Sequence, residues 1–435
     1  MVPLRFLLSG AVALAAFWTA LVLRPSAAVG YAAAPDTLAL VHVLTLGVGT
    51  LVLVGAMHQL VPVLLVTHLY APGWGLATFL GLGVGSLAVV LGFALGSRPA
   101  WLAVGGTVAW LAVTLFVLNV GLTAARVARL DAPAVTLLVA TAYLWLTFTL
   151  GTLLALARVW PALQAALGYA TPVHLSFGLL GAFGLAIAGA GHKLLSMFTL
   201  AHGVRLGALW GVLGFTVAGT VLLVVVTWGP AVGFGGGPGA LTYAASWGAR
   251  LAFLFGGACY ALDVRRILRA RIRRNPDVGV RGFLVGIAGF VPAAAAMLAG
   301  RIDVAVTLVL VGVVPLAIAG MLVKISTFLT WQHRYARWVG RSQTGRGTPM
   351  LSDMIRPRLG WVTIMGLAAG SLLVALARLL DSEAVAGIAA VLGAVGAWAL
   401  LAHVAWIVFA EHAPSGAQGT PPAPPVERRQ DVRPS

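Results

Sequence analysis

The chain has 435 residues, 60% hydrophobic and only 9% charged, with a mean hydropathy of +0.99. A soluble domain carries roughly 25% charged residues, so a soluble globular protein is excluded. The net charge of +17 would suggest nucleic acid in a soluble chain; here the placement of the cations assigns it to membrane topology instead.

Hydrophobic runs recur almost end to end. A helix needs about 20 apolar residues to cross a bilayer core, and only helices or closed barrels satisfy the backbone there. The runs show no strand-like alternation, so the expected fold is all-α, a polytopic membrane protein. Twelve spans are predicted in chain order: residues 4–24, 38–66, 73–95, 100–122, 133–157, 172–200, 206–228, 239–262, 281–299, 303–330, 360–380 and 385–410. The first is longer than a signal peptide and lacks a small-residue cleavage site. Residues 1–412 therefore read as one transmembrane domain. The Pro-rich stretch 413–435 reads as a disordered cytoplasmic tail. The single Cys259 lies inside a span, so no intrachain disulfide forms.

Sorting the loops by side gives a strong asymmetry. One side holds Arg5, Arg126, Arg129, Arg205, the run from Arg265 to Arg274, and Arg334, Arg337, Arg341, Arg346, Arg356 and Arg358. The other holds little beyond Arg24, Arg98, Arg158 and Arg301. The positive-inside rule makes the rich side cytoplasmic, with both termini inside. Attraction to anionic headgroups accounts for most of these arginines, and no nucleic-acid role is expected. The lipid bilayer is the first partner, in the inner (cytoplasmic) membrane of a prokaryote.

Three stretches align: Gly55–His68, Gly189–His202 and Gly320–His333. Each opens on Gly and closes on His thirteen residues later, and each has another Gly eight residues before it: Gly47, Gly181 and Gly312. Gln59, Lys193 and Lys324 follow four residues after the first Gly. The copies fall on spans two, six and ten, which predicts three pseudo-repeated four-helix units. Small residues let backbones approach in a membrane; a glycine face would equally suit a flat cofactor.

Ionisable groups inside spans are costly and point to function. His42 and His174 lie early in spans two and six, and His58 and His192 late in the same spans. The sixteen residues from His42 to His58 give about 24 Å of helix rise, and the eighteen from His174 to His192 about 27 Å. Each pair therefore divides between leaflets. An imidazole with a free ring nitrogen is a good axial ligand for haem iron and suits copper. The alternative is a histidine bonded to a neighbouring backbone or side chain. Arg250, near the middle of span eight, must pair with a carbonyl, a haem propionate or an anionic ligand. All eleven Asp and Glu are placed in loops, tails or span ends, leaving no obvious buried carboxylate to carry protons.

The stretch HVLTLGVGTLVLVGAMHQLVPVLL, from His42, resembles the second helix of subunit I of the haem–copper oxidase and nitric-oxide reductase superfamily. The His at its start, the glycines and the Leu60-Val61-Pro62 ending carry the match. Twelve helices, inner termini and key ligands on helices two, six and ten extend it. The resemblance implies that His42 ligates a low-spin haem and that His174 is a candidate for the copper-binding histidine of helix six. It also departs: span ten has no histidine before His333 and span seven has none. A divergent haem-binding relative follows, without a complete haem–copper centre, working in electron transfer or in O2 or NO handling. Its electron donor would be a quinol or a cytochrome, with other respiratory subunits as partners. A bis-His haem between His42 and His174 is the concrete form, with His58 and His192 as a second tier and Arg250 on a propionate. The competing readings are a transporter with Lys193, Lys324 and Arg250 along an anion path, and a non-catalytic respiratory assembly protein.

Overall fold

The structure, a computed structural model, describes residues 2–412 apart from 168, 229–238, 337–338 and 340–347. The tail at 413–435 lies outside the described residues. Twelve long helices and no strands are found among the described residues. They are α1 Val2–Leu23, α2 Pro35–Leu65, α3 Trp74–Ala94, α4 Pro99–Ala124, α5 Ala132–Leu156 and α6 Thr171–Thr199. The second half comprises α7 Gly207–Trp228, α8 Ala240–Ala270, α9 Val278–Leu298, α10 Ile302–Arg334, α11 Pro357–Leu380 and α12 Glu383–Phe409. All except α8 are long and apolar enough to cross a membrane. Arg250 and the arginines of its last turns set α8 apart.

Consecutive helices pack as hairpins: α1 on α2, α3 on α4, α5 on α6, α7 on α8, α9 on α10 and α11 on α12. That is the same pair of hairpins three times. Contacts of α4 with α5, of α1 with α12 and, more thinly, of α8 with α9 join the three units, and the most buried of the apolar spans is α10.

The threefold pattern is present in the backbone itself. Each of α2, α6 and α10 begins as an α-helix, widens into a π-helical stretch and returns to α. The π stretches are Val43–Thr50, Phe177–Gly184 and Leu308–Val313. Each starts twelve residues before the aligned glycine, and Gly47, Gly181 and Gly312 are the fifth residue of each. A π stretch is rare and concentrates at functional sites, so three at one register are not chance. Downstream, α2 and α6 both stop at a left-handed residue, Val66 and Leu200, while α10 runs on through His333.

The aligned glycines each receive the first helix of their own unit. A Cβ on Gly55 would meet Phe6 of α1; one on Gly189 would meet Leu137 of α5; one on Gly320 would meet the Phe283 backbone of α9. In lipid, apolar surface gives no drive for helix association, so such close backbone approach carries the packing.

Candidate cofactor site

The widening of α2 begins directly after His42, and that of α6 begins three residues after His174. Both rings border one cavity of 490 Å³ on the arginine-poor side of the bundle. It is enclosed by the first halves of α2 and α6, the end of α3, the start of α4 and the second half of α5. Cofactor pockets run about 300–1,000 Å³, so the space suits a cofactor rather than a lone ion.

The two imidazoles are held alike. His42 Nδ1 lies 2.7 Å from the Leu38 carbonyl, and His174 Nδ1 lies 3.1 Å from the Thr147 carbonyl. A carbonyl only accepts, so Nδ1 carries the proton and Nε2 is left as a bare lone pair. An Nδ1–H donated to a carbonyl is the usual outer support of a metal-bound imidazole, fixing both tautomer and ring orientation. His42 is further fixed by stacking on Phe93, with centroids 4.9 Å apart.

The walls are shaped by glycines as well as by Phe93, Phe148 and Phe183. Gly106, Gly151 and Gly178 all line the space, and a Cβ on Gly151 would lie 2.8 Å from Cε1 of His174. At the rim stand Arg158 and Gln164, from the link between α5 and α6. The Arg158 guanidinium sits 5.5 Å over the Phe93 ring, a cation beside the aromatic that stacks on His42. Among the described residues no group of three or more His, Cys, Asp or Glu could hold a metal ion.

The inner tier is not assembled. His58 donates from Nδ1 to the Val54 carbonyl at 2.7 Å and packs against Phe6 and Phe116. Its Nε2 has no partner among the described residues, and a Cβ on Gly75 would lie 3.2 Å from it. The ring is buried between these two aromatics. His192 instead faces Asp263 of α8, with Nδ1 to Oδ2 at 2.9 Å. The two histidines thus have separate surroundings, His58 among α1, α3 and α4 and His192 against α8.

Asp263 corrects the sequence reading of the acids. It is fully buried within α8, which continues to Ala270 rather than stopping near residue 262. Arg250 does not reach the cavity; it lies 4.9 Å over the Trp247 ring. Lys324 pairs with Asp277 at 2.6 Å and lies over Phe198. Arg250 and Lys324 are therefore each engaged locally and border no common space in the described residues. No protein-family model matches the chain, and no curated protein matches it, so the geometry carries the functional argument.

Proposed function

We propose that this is a haem-binding integral membrane protein, a divergent relative of respiratory oxidase subunit I, working in electron transfer or in O2 or NO handling. What supports the reading above all is the pair His42 and His174, each anchored through Nδ1 and each bordering the 490 Å³ cavity. Two imidazoles are too few for a copper or zinc site held by protein alone. They suit a haem, whose macrocycle brings four in-plane nitrogens and leaves two axial positions to the protein.

The remaining residues fit the same group. Glycines at Gly106, Gly151 and Gly178 keep the walls flat, and Arg158 and Gln164 would meet propionates at the rim. Haem supplies one-electron chemistry when bound; the chain supplies ligands, orientation and a low-dielectric enclosure. With His42 and His174 both holding the group, the site would leave no position free for a gas, so electron transfer is the preferred member of the pair. The donor would be a quinol or a cytochrome, and the membrane a prokaryotic inner membrane with both termini cytoplasmic.

The deciding experiment is a reduced-minus-oxidised absorption spectrum of the purified full chain, for wild type and His42→Ala. A low-spin Soret and alpha band in the first, lost in the second, is the expected result. Wild-type protein without a haem band removes the reading.

A further inference from the structure

A second polar centre lies about 27 Å of helix rise from the first, toward the arginine-rich end of α6. His192 and Asp263 are both buried, and Nδ1 of His192 lies 2.9 and 3.1 Å from the two carboxylate oxygens. That single N–H is the only donor the described residues give to either oxygen of Asp263. A carboxylate has about four acceptor sites, and burying one in its charged form costs several kcal/mol unless its lone pairs are satisfied. Asp263 is therefore short of donors. Its partner is equally open, because Nε2 of His192 has no hydrogen bond among the described residues.

Among the described residues no other donor reaches the carboxylate. Tyr260, one turn earlier on α8, gives its hydroxyl to the Ile187 carbonyl at 3.1 Å. On the neighbouring helices, Lys324 of α10 is held by Asp277 at 2.6 Å. α7 carries no acid or base, and α5 brings only Tyr143, bonded to Thr220, and the capping Asp131. Lys193 adjoins His192 in sequence, and Arg265 and Arg266 follow Asp263, Arg265 on an exposed position. Cys259 packs on Gly211 of α7.

From this geometry we propose that His192 and Asp263 form a proton-binding site that exchanges with the arginine-rich side. The pair carries one shared proton in its resting form and takes a second on Nε2 of His192. In that form the imidazolium faces the carboxylate and the pair is neutral overall. The proton comes from water and no other group changes bonding. The distance to that side is short: His192 lies seven residues from the end of α6, about 10 Å of rise. There the Thr199 carbonyl accepts from the backbone N–H groups of Ile272 and Arg273, in the arginine cluster. This site stands apart from the cavity and does not depend on the haem reading.

The test is infrared difference spectroscopy of the full chain in nanodiscs, titrated from about pH 5 to 9, the range where histidine changes charge, in H2O and D2O. Expected are imidazole and carboxyl bands that titrate together and shift in D2O. Asp263→Asn should abolish the carboxyl component and displace the imidazole titration, and Asp263→Glu should restore both. If Asp263→Asn does not fold, ¹³C-histidine labelling of wild type against His192→Gln reads the same imidazole. A flat wild-type spectrum overturns the proposal, as does a titration unchanged in Asp263→Asn or in His192→Gln.

Discussion

Gly151 of α5 and His174 of α6 are so close that a Cβ on the glycine would lie 2.8 Å from Cε1 of the imidazole. The ring is thus held on one side by the absence of a side chain and on another by the Thr147 carbonyl, one turn earlier on the same helix. Gly151→Ala should tilt His174 off that carbonyl without disturbing the lipid-facing surface. On the proposed haem reading, haem affinity is expected to fall about tenfold, equivalent to about 1.4 kcal/mol of binding, while the thermal melt in detergent moves little. Pyridine haemochrome analysis beside a melting curve checks both halves.

The two axial candidates predict different behaviour from a merely packed histidine. His42→Gly and His174→Gly each remove a ring and leave a hole at the cavity wall. Added imidazole should fill that hole and restore the low-spin spectrum in either single variant. Neither His58→Gly nor His192→Gly should respond to imidazole, since neither ring borders the cavity. Spectra recorded with increasing imidazole distinguish these outcomes, and rescue at His58 would reassign the site.

Lys324 and Asp277 give a prediction on stability. Asp277 caps α9 through the backbone N–H groups of Gly279 and Val280 while pairing with Lys324. Removing one partner of a buried pair costs about 3–5 kcal/mol, and Asp277 is 22% exposed, which places Asp277→Ala near the low end. The lost cap adds to it, about 1 kcal/mol. Lys324→Met leaves the cap in place and keeps the stem packed, so it should destabilise less. Melting temperatures of the two variants in one detergent test the order.

The fold was legible in the sequence because its signals are long and local. Runs of apolar residues define the helices, and the register Gly47, Gly181, Gly312 coincides with three π stretches that no hydropathy scale contains. The cavity was half legible: His42 and His174 stand out as costly residues, whereas their partners are backbone carbonyls, Leu38 and Thr147, with no sequence signature. Arg158 and Gln164 carry no sequence signature of their place at the cavity, because nothing local reveals where the link between α5 and α6 lies. Asp263 was misplaced for a definable reason. The fall in hydropathy at Asp263, Arg265 and Arg266 resembles a span end, but the helix continues and α6 covers the acid with His192. A long-range pair of that kind is invisible to any window along one chain segment.

The aligned glycines allow a ranking that tests the threefold packing directly. At Gly320 a Cβ would lie 2.3 Å from the Phe283 nitrogen and 2.5 Å from the Gly279 carbonyl oxygen. Both are backbone atoms of α9, which cannot move without shifting the helix. At Gly55 the closest atom is the Phe6 Cβ at 2.4 Å, the root of a side chain on α1. At Gly189 the contacts, Leu137 Cγ, the Pro133 carbonyl oxygen and Thr136 Cβ, all lie at 3.1–3.3 Å, which a shift of a few tenths of an ångström relieves. Overpacking costs about 1–3 kcal/mol, whereas Ala is favoured over Gly in a helix by about 1 kcal/mol. Gly189→Ala should therefore be close to neutral, Gly55→Ala destabilising and Gly320→Ala the most damaging. Melting temperatures of the three variants give the order; equal losses at all three would mean that the glycines do not serve as contact points between the first and second helix of each unit.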